Sequence, residues 1–283
     1  MKRILIIPNQ QKDENFNVTE SVAEKLRSLG AEVYLAPKYS PSLSVPEFDF
    51  GGERIDAIVV IGGDGSVIDA SVLAVDMDIP LLGVNLGTVG YLSEVEIDDL
   101  DILSRLFSGD YRIEERMLLC ASKTSRSGET ESCDRFAVND IVISHDAYFG
   151  ISDFKVENAR GDSVNYRADG VIVATPTGST AYSLSAGGPI VAHNLDLITV
   201  TPVCPHSLFN RSIVYGSTES IKISNHSEEI LNVSIDGRLF TKLSKGDFCE
   251  VKKATKHFKV ITFTDSNMFS ALFKKINNLE KKI

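Results

Sequence analysis

Gly62-Gly63-Asp64-Gly65-Ser66 joins residue types that can handle a phosphate group. Glycines let a bulky anion approach the backbone and permit φ > 0. The carboxylate among them is the odd member. Beside a phosphate it repels unless it holds a metal or takes a proton, and that conflict points to group transfer. The preceding run, Ile55-Asp56-Ala57-Ile58-Val59-Val60-Ile61, is short, β-branched and almost unbroken, the pattern of a strand covered on both faces of a parallel sheet. The following residues, Ser66 to Val75, set Ile68, Val72 and Val75 at helical spacing. Strand, glycine turn and helix in that order aim free backbone N–H groups at an anion. A plain strand-to-helix turn capped by an Asp or Ser accounts for the same spacing.

Three further stretches carry chemistry. Gly83-Val84-Asn85-Leu86-Gly87-Thr88-Val89-Gly90-Tyr91-Leu92 ends a strand without a helix start, so it misses the dinucleotide fingerprint; it reads as a loop lining a ligand site, with Tyr91 as a wall, or as a tight turn with Tyr91 in the core. Asn139-Asp140 interrupts the apolar run from Phe136 to Ile143. A neighbouring amide and carboxylate can grip a vicinal diol such as a ribose, and a bulge or strand edge is the alternative. Tyr166 to Val191 is the most informative segment. An apolar strand leads into Thr175-Pro176-Thr177-Gly178-Ser179-Thr180-Ala181-Tyr182-Ser183-Leu184-Ser185, and Gly187-Gly188-Pro189 follows. A connector does not need so many hydroxyls, whereas phosphates and a base edge do. Neither Ser179 nor Ser183 lies in a G-x-S-x-G elbow, which argues against hydrolase chemistry.

These residues need elements to hold them. Ile4–Ile7 reads as a strand, then a helix opens at an Asn17/Glu20 capping pair and stops at Gly30, and a second strand runs from Ala31 to Ala36. Residues 37–53 are rich in Pro and Gly and read as a loop; a strand over 79–84 and a helix near Asp98 follow the glycine turn. Strands alternating with helices predict a doubly wound, mostly parallel α/β domain over residues 1–112, with ligands at the carboxyl ends of its strands. From about 113 to 265 the pattern turns to strands at 113–121, 135–144, 151–158, 170–175, 197–203, 220–225, 230–235, 248–253 and 258–264, a mostly-β domain. Residues 266–283 are amphipathic and predict a C-terminal helix packed on the body.

Composition narrows the classes. The 283 residues suffice for about two domains on usual domain sizes. A formal charge of -10 argues against general nucleic-acid binding, so an anionic ligand needs a local cluster of donors. No window is apolar for long enough to span a bilayer, and Met1-Lys2-Arg3 leads directly into a strand, so neither membrane insertion nor a signal peptide is expected. Cys120, Cys133, Cys204 and Cys249 lie far apart without a CxxC pair, as expected of reduced thiols in a cytoplasmic protein and not of a zinc site.

Taken in order, Gly62 to Ser66, Gly83 to Leu92, Asn139-Asp140, Asp169-Gly170 through Thr175–Tyr182 to Pro189, and Thr201-Pro202-Val203-Cys204-Pro205-His206-Ser207-Leu208 with Arg211 resemble the motif set of the NAD kinases, over about residues 55 to 240. The Gly-Gly-Asp-Gly element alone is shared with diacylglycerol and sphingosine kinases and phosphofructokinases; the Thr/Ser/Gly stretch with Asn-Asp upstream is specific. The resemblance implies transfer of the γ-phosphoryl group of ATP, or of polyphosphate, to the 2′-hydroxyl of the adenosine ribose of NAD, giving NADP, with a divalent metal such as Mg²⁺. It implies Asp64 as the catalytic acid, Gly62, Gly63 and Gly65 on phosphate, and Asn139 and Asp140 on ribose hydroxyls. Arg167 and Asp169 would line the dinucleotide site, Thr177 and Thr180-Ala181-Tyr182-Ser183 to Ser185 would contact base and nicotinamide, and Tyr91 would stand beside the substrate. Cys204 and Arg238 fall within matching segments, and no residue is assigned as a protein ligand of the metal. The sequence departs from the family pattern with Ser66 for Thr, Asp140 for Glu and Arg238 for an amide; a plain hairpin turn also accounts for Asp236-Gly237-Arg238. The resemblance further implies a homodimer or homotetramer and an active site in the cleft between the domains. Two other functions use some of these residues. A lipid kinase would share the glycine turn but needs an acyl groove, and a silent dinucleotide sensor would not need Asp64.

Overall fold

Ala57 to Gly62 are all buried, and this run forms the strand around which the N-terminal sheet is laid. The computed structural model describes residues 2–36, 46, 48, 54–86, 90–145 and 151–263. Most of the loop read over 37–53, the stretch 87–89 of the second glycine loop, and the helix read over 266–283 lie outside them. The chain divides into two compact units, one of residues 1–115 with 258–283, the other of residues 116–257. The sequence sets the boundary at 112/113 and carries the second domain to 265. Residues from 258 group instead with the first unit, because the end of the last strand pairs there, at Val260↔Leu81.

In the first unit the elements are β1 (Arg3–Pro8), α1 (Asn17–Ser28), β2 (Glu32–Leu35), β3 (Ala57–Gly62), α2 (Asp64–Met77), β4 (Leu81–Asn85), β5 (Val95–Glu96) and α3 (Arg105–Ser108). The strands β4-β3-β1-β2 lie in that order, all parallel, with Pro8↔Ile61 and Gly62↔Asn85 ending their ladders together. The chain first steps from β1 to β2 on one side and then to β3 on the other. The order therefore reverses between β1 and β3, and ligands gather at the carboxyl ends of strands flanking such a switch. Ile4, Ile6, Val59, Ile61, Leu82, Val84, Leu103, Leu106, Ile261 and Phe263 belong to the core of this unit. Each such side chain contributes about 1.5–3 kcal/mol by leaving water.

Three sequence expectations change here. The α1 N-terminus is not capped by Asn17, which is its first helical residue; Phe16 precedes it at φ 55. Asp13 takes the capping role, its carboxylate accepting from the Val18 and Thr19 N–H groups and the Thr19 hydroxyl. Helix α2 begins at Asp64 and buries Val67, Ala70, Ser71, Ala74 and Val75, whereas Val72 is exposed. Of Ile68, Val72 and Val75 only Val75 is buried, and small residues make up much of the packed face. The helix read near Asp98 is a 3-10 turn, Leu100–Ser104, followed by the single turn α3.

The second unit holds β6 (Arg112–Thr124), β7 (Thr130–Ser132), β8 (Asp140–His145), β9 (Ser152–Asn158), β10 (Ser163–Ala168), β11 (Gly170–Ala174), α4 (Tyr182–Ser185), β12 (Leu197–Val203), β13 (Ile213–Gly216), β14 (Ser220–Asn225), β15 (Leu231–Ile235), β16 (Arg238–Leu243) and β17 (Phe248–Thr262), of which β6 and β17 begin or end in the first unit. One antiparallel sheet runs β13-β12-β11-β8-β15-β16. A second antiparallel run pairs β10 with β9, β9 with β14 and β14 with β17. Between them Met117, Leu119, Ile141, Ile143, Phe154, Tyr166, Val171, Val173 and Val200 form a core. Strands β5, β7, β10, β13 and β16 were not read from sequence, and β17 is continuous where two strands were expected. No helix among the described residues is long and apolar enough to cross a membrane.

Candidate active site

Asp64 stands at the first position of α2, after Gly62 at the end of β3 and Gly63 at the helix cap. A helix start leaves N–H groups without intrahelical partners and carries the positive end of its dipole. The Asp64 carboxylate accepts from the Tyr91 N–H at 3.2 Å and the Leu92 N–H at 3.1 Å. Gly90, Tyr91 and Leu92 are therefore a seat for Asp64, and the fit is tight: a Cβ on Gly90 would lie 2.5 Å from Asp64 Oδ1. Burial and then the Asp64 charge raise the Tyr91 phenol above its ordinary pKa. Gly62 is equally constrained, since its Cβ would meet Ser66 Oγ at 2.3 Å. That hydroxyl accepts from Asn9 Nδ2 at 2.7 Å, tying the end of β1 to the start of α2.

In the second unit Asn139 and Asp140 sit where β8 begins. Asp236, in the β15–β16 turn, accepts at one carboxylate from the N–H groups of Val138, Asn139 and Asp140 at 2.8–3.1 Å. Hydrogen bonds to a charged acceptor contribute about 1.5–3 kcal/mol each, so this seat is strongly specified. Asp236 and Gly237 have φ of 47° and 75°, the paired positive values of a tight hairpin. From the other side Thr175 N–H donates to Asn139 O, and the Thr175 hydroxyl donates to Val138 O at 2.6 Å. Burial, and then the Asp236 charge, push Asp140 up to about 7. Asp236 is raised too, by burial, but its three N–H donors work against that.

The hydroxyl-rich loop uses most of its hydroxyls on itself. Ser179 donates to Pro176 O, Thr180 to Thr177 O, and Ser183, fully buried, pairs with Thr201. These groups shape the turn, and the Ser183 hydroxyl is turned into the protein. Thr177 and Ser185 hydroxyls make no hydrogen bond among the described residues. Tyr182 is exposed, and its phenol is raised above its ordinary pKa by burial and then by Cys204, Asp169 and Asp140. Tyr182 thus lies within electrostatic reach of Cys204, Asp169 and Asp140, and Ala181 stands at the entry to α4. Cys204 is exposed and adopts φ 45°. Arg167 is on the exposed face of β10, its carbonyl accepting from the His206 N–H. Arg238 is the exposed first residue of β16, opposite Ile235 in the hairpin.

Asn9 and Asp236 escaped the sequence reading as parts of these sites. Asp236 was visible only as a turn residue, because what it touches is remote in sequence. Among the described residues no three His, Cys, Asp or Glu side chains converge as a metal site.

Comparison with known proteins covers both units. The family model described as ATP-NAD kinase N-terminal domain matches residues 4–111, and that described as ATP-NAD kinase C-terminal domain matches residues 138–263. The NAD kinase of Lachnoclostridium phytofermentans is 36% identical over 288 residues, covering 98% of this chain and 100% of that one. The NAD kinase of Geobacter sulfurreducens is 39% identical over 256 residues, covering 90% and 86%. Among solved structures, yeast NADH kinase complexed with NADH matches with a TM-score of 0.82 at 24% identity, over 98% of this chain and 88% of that one. An NAD kinase from Archaeoglobus fulgidus in complex with ATP matches with a TM-score of 0.74 at 24% identity, over 97% and 98%.

Proposed function

The chain belongs to the NAD kinase family, and from that premise we propose how its residues divide the work of phosphorylating NAD to NADP with ATP. The observation that carries the reading is the Asp64 carboxylate, seated on two N–H groups at a glycine turn and a helix start. Gly62, Gly63 and Gly65 accept the phosphates of ATP through their backbone. Asn139 and Asp140 hold ribose hydroxyls; near neutral pH Asp140 can donate as well as accept. Thr177 and Tyr182 contact the rings, with Asp169, Arg167 and Ala181 around them. Ser185 offers its hydroxyl beside them, and Cys204 lines the same neighbourhood. The 2′-hydroxyl attacks the γ-phosphorus, and Asp64 orients it and receives its proton. In a loose phosphoryl-transfer transition state the proton leaves late, so orientation outweighs basicity.

The donor set suits a divalent ion carried by the substrate: one carboxylate, Asp64, in a turn otherwise built of glycine and serine. Mg²⁺ is commonly held by one or two carboxylates together with phosphate oxygens, and when bound it offsets phosphate charge. Asp64 would be its protein contact. The four cysteines are all free, as suits a cytoplasmic enzyme. An assay of NADP formation from NAD, ATP and Mg²⁺ tests the reading. Product that vanishes on chelation and returns with added Mg²⁺ is expected. Binding of NAD without product would leave a sensor, and phosphorylation of lipid with NAD untouched would leave a lipid kinase.

A further inference from the structure

The phosphate-binding turn lacks a cation of its own. From Ile55 to Ser104, which spans β3, α2 and β4, the sequence has no Lys, Arg or His. A γ-phosphoryl group brought there meets Asp64 and a chain of net charge -10. Backbone N–H groups alone offset part of that repulsion. The other flank of the switch point is β1, and from Ile4 to Glu24 its segment contains one basic residue, Lys12.

Lys12 is brought to the turn by a specific bracket. Asn9, just past β1, donates its backbone N–H to Ile61 O and its side-chain amide to Ser66 Oγ. The same amide accepts from the Gln11 N–H at 3.1 Å and the Lys12 N–H at 3.3 Å, and Asn9 O accepts from Lys12 and Asp13. The loop is anchored beyond Lys12 as well, by Asp13 at the start of α1. The Lys12 Nζ then lies 3.5 Å from Leu86 O and 3.2 Å from where a Cβ of Gly63 would stand. Among the described residues it pairs with no carboxylate. An exposed lysine held over a glycine, with a carbonyl as its one weak partner, is placed for an anion.

We propose that Lys12 is a catalytic residue of this enzyme, its ammonium contacting a non-bridging oxygen of the γ-phosphoryl group as that group leaves ADP. The proposal rests on the kinase reading above. In the step the bond from the γ-phosphorus to the β–γ bridging oxygen breaks and the bond to the ribose 2′-oxygen forms. The 2′-hydroxyl proton passes to Asp64, and Lys12 keeps its protons and acts by charge. Preorganised charge of this kind is worth most where it meets charge that shifts in the transition state.

The test compares Lys12→Met, which keeps length without charge, and Lys12→Arg, which keeps charge. We expect Lys12→Met to lose about 10²-fold in kcat/KM for ATP, as for other cations on a transferring phosphoryl group. Calorimetric NAD affinity and thermal midpoint should stay at wild-type values, and Lys12→Arg should recover about a tenth or more of the lost activity. Wild-type kcat/KM for ATP in Lys12→Met would overturn the proposal. So would a loss matched by falling stability or NAD affinity, since that marks a structural role. A wild-type protein that forms no NADP would instead sink the kinase reading itself.

Discussion

Asp64 and Asp140 are both acids in turns proposed to bind substrate, and their neighbours give them different surroundings. Asp64 is held by two N–H groups with Gly90 pressed against it. Gly90→Ala would drive a methyl group into Oδ1, so the carboxylate must leave its seat. We expect kcat to fall about 10-fold or more, with NAD affinity unchanged in calorimetry, because misplacement of a positioned group by an ångström is costly. Asp140 is pushed up to about 7 by burial and then by Asp236. The folded chain therefore binds a proton that the unfolded chain has already lost above the ordinary carboxylate value. Stability associated with Asp140 is complete below that ordinary value and is lost as pH rises through about 7. Asp140→Asn removes this dependence. Its thermal midpoint should gain on the wild type as pH climbs from about 5 to about 8, and parallel curves would contradict the protonated assignment. Asp64 was legible from its glycines. The protonation of Asp140 was not, because Asp236 lies far along the chain.

At the scale of elements, the turn after β11 is a clamp on the strand β8 beside it. Gly178 packs so closely that a Cβ would fall 2.0 Å from the backbone oxygen of Asn139. Backbone cannot move aside as a side chain can. Gly178→Ala should cost about 1–3 kcal/mol in denaturant unfolding, the usual range for overpacking, and weaken NAD binding along with it. Loss of stability with intact NAD affinity would show that the clamp does not shape the binding turn. The sequence foretold this segment as special, from its run of Thr, Ser and Gly, but for a partly different reason. Ser179, Thr180 and Ser183 hold the turn together. The alternation of β and α in the first unit was readable, whereas the packed face of α2 was not, since Ala70, Ser71 and Ala74 bury silently on a hydrophobic count. Strands β10, β13 and β16 are short and partly exposed, so their pattern carries little apolar signal.

For the whole molecule, the proposed chemistry draws on two units of different architecture. One supplies the glycine turn and Asp64, the other the residues proposed to hold the dinucleotide. The β13 edge exposes Val214, and the segment leading into it exposes Leu208 and Phe209. An apolar strand edge invites pairing with another chain. A homodimer or homotetramer is the expected state by light scattering, and Val214→Asp should lower the mass; a wild-type monomer would contradict it. The division of labour itself is tested most directly by Asp64→Asn, with NADP formation and calorimetric NAD affinity measured on the same preparation. Turnover should fall by about 10² or more while NAD binds as in the wild type. Turnover near the wild-type rate, or NAD affinity lost together with turnover, would contradict the account.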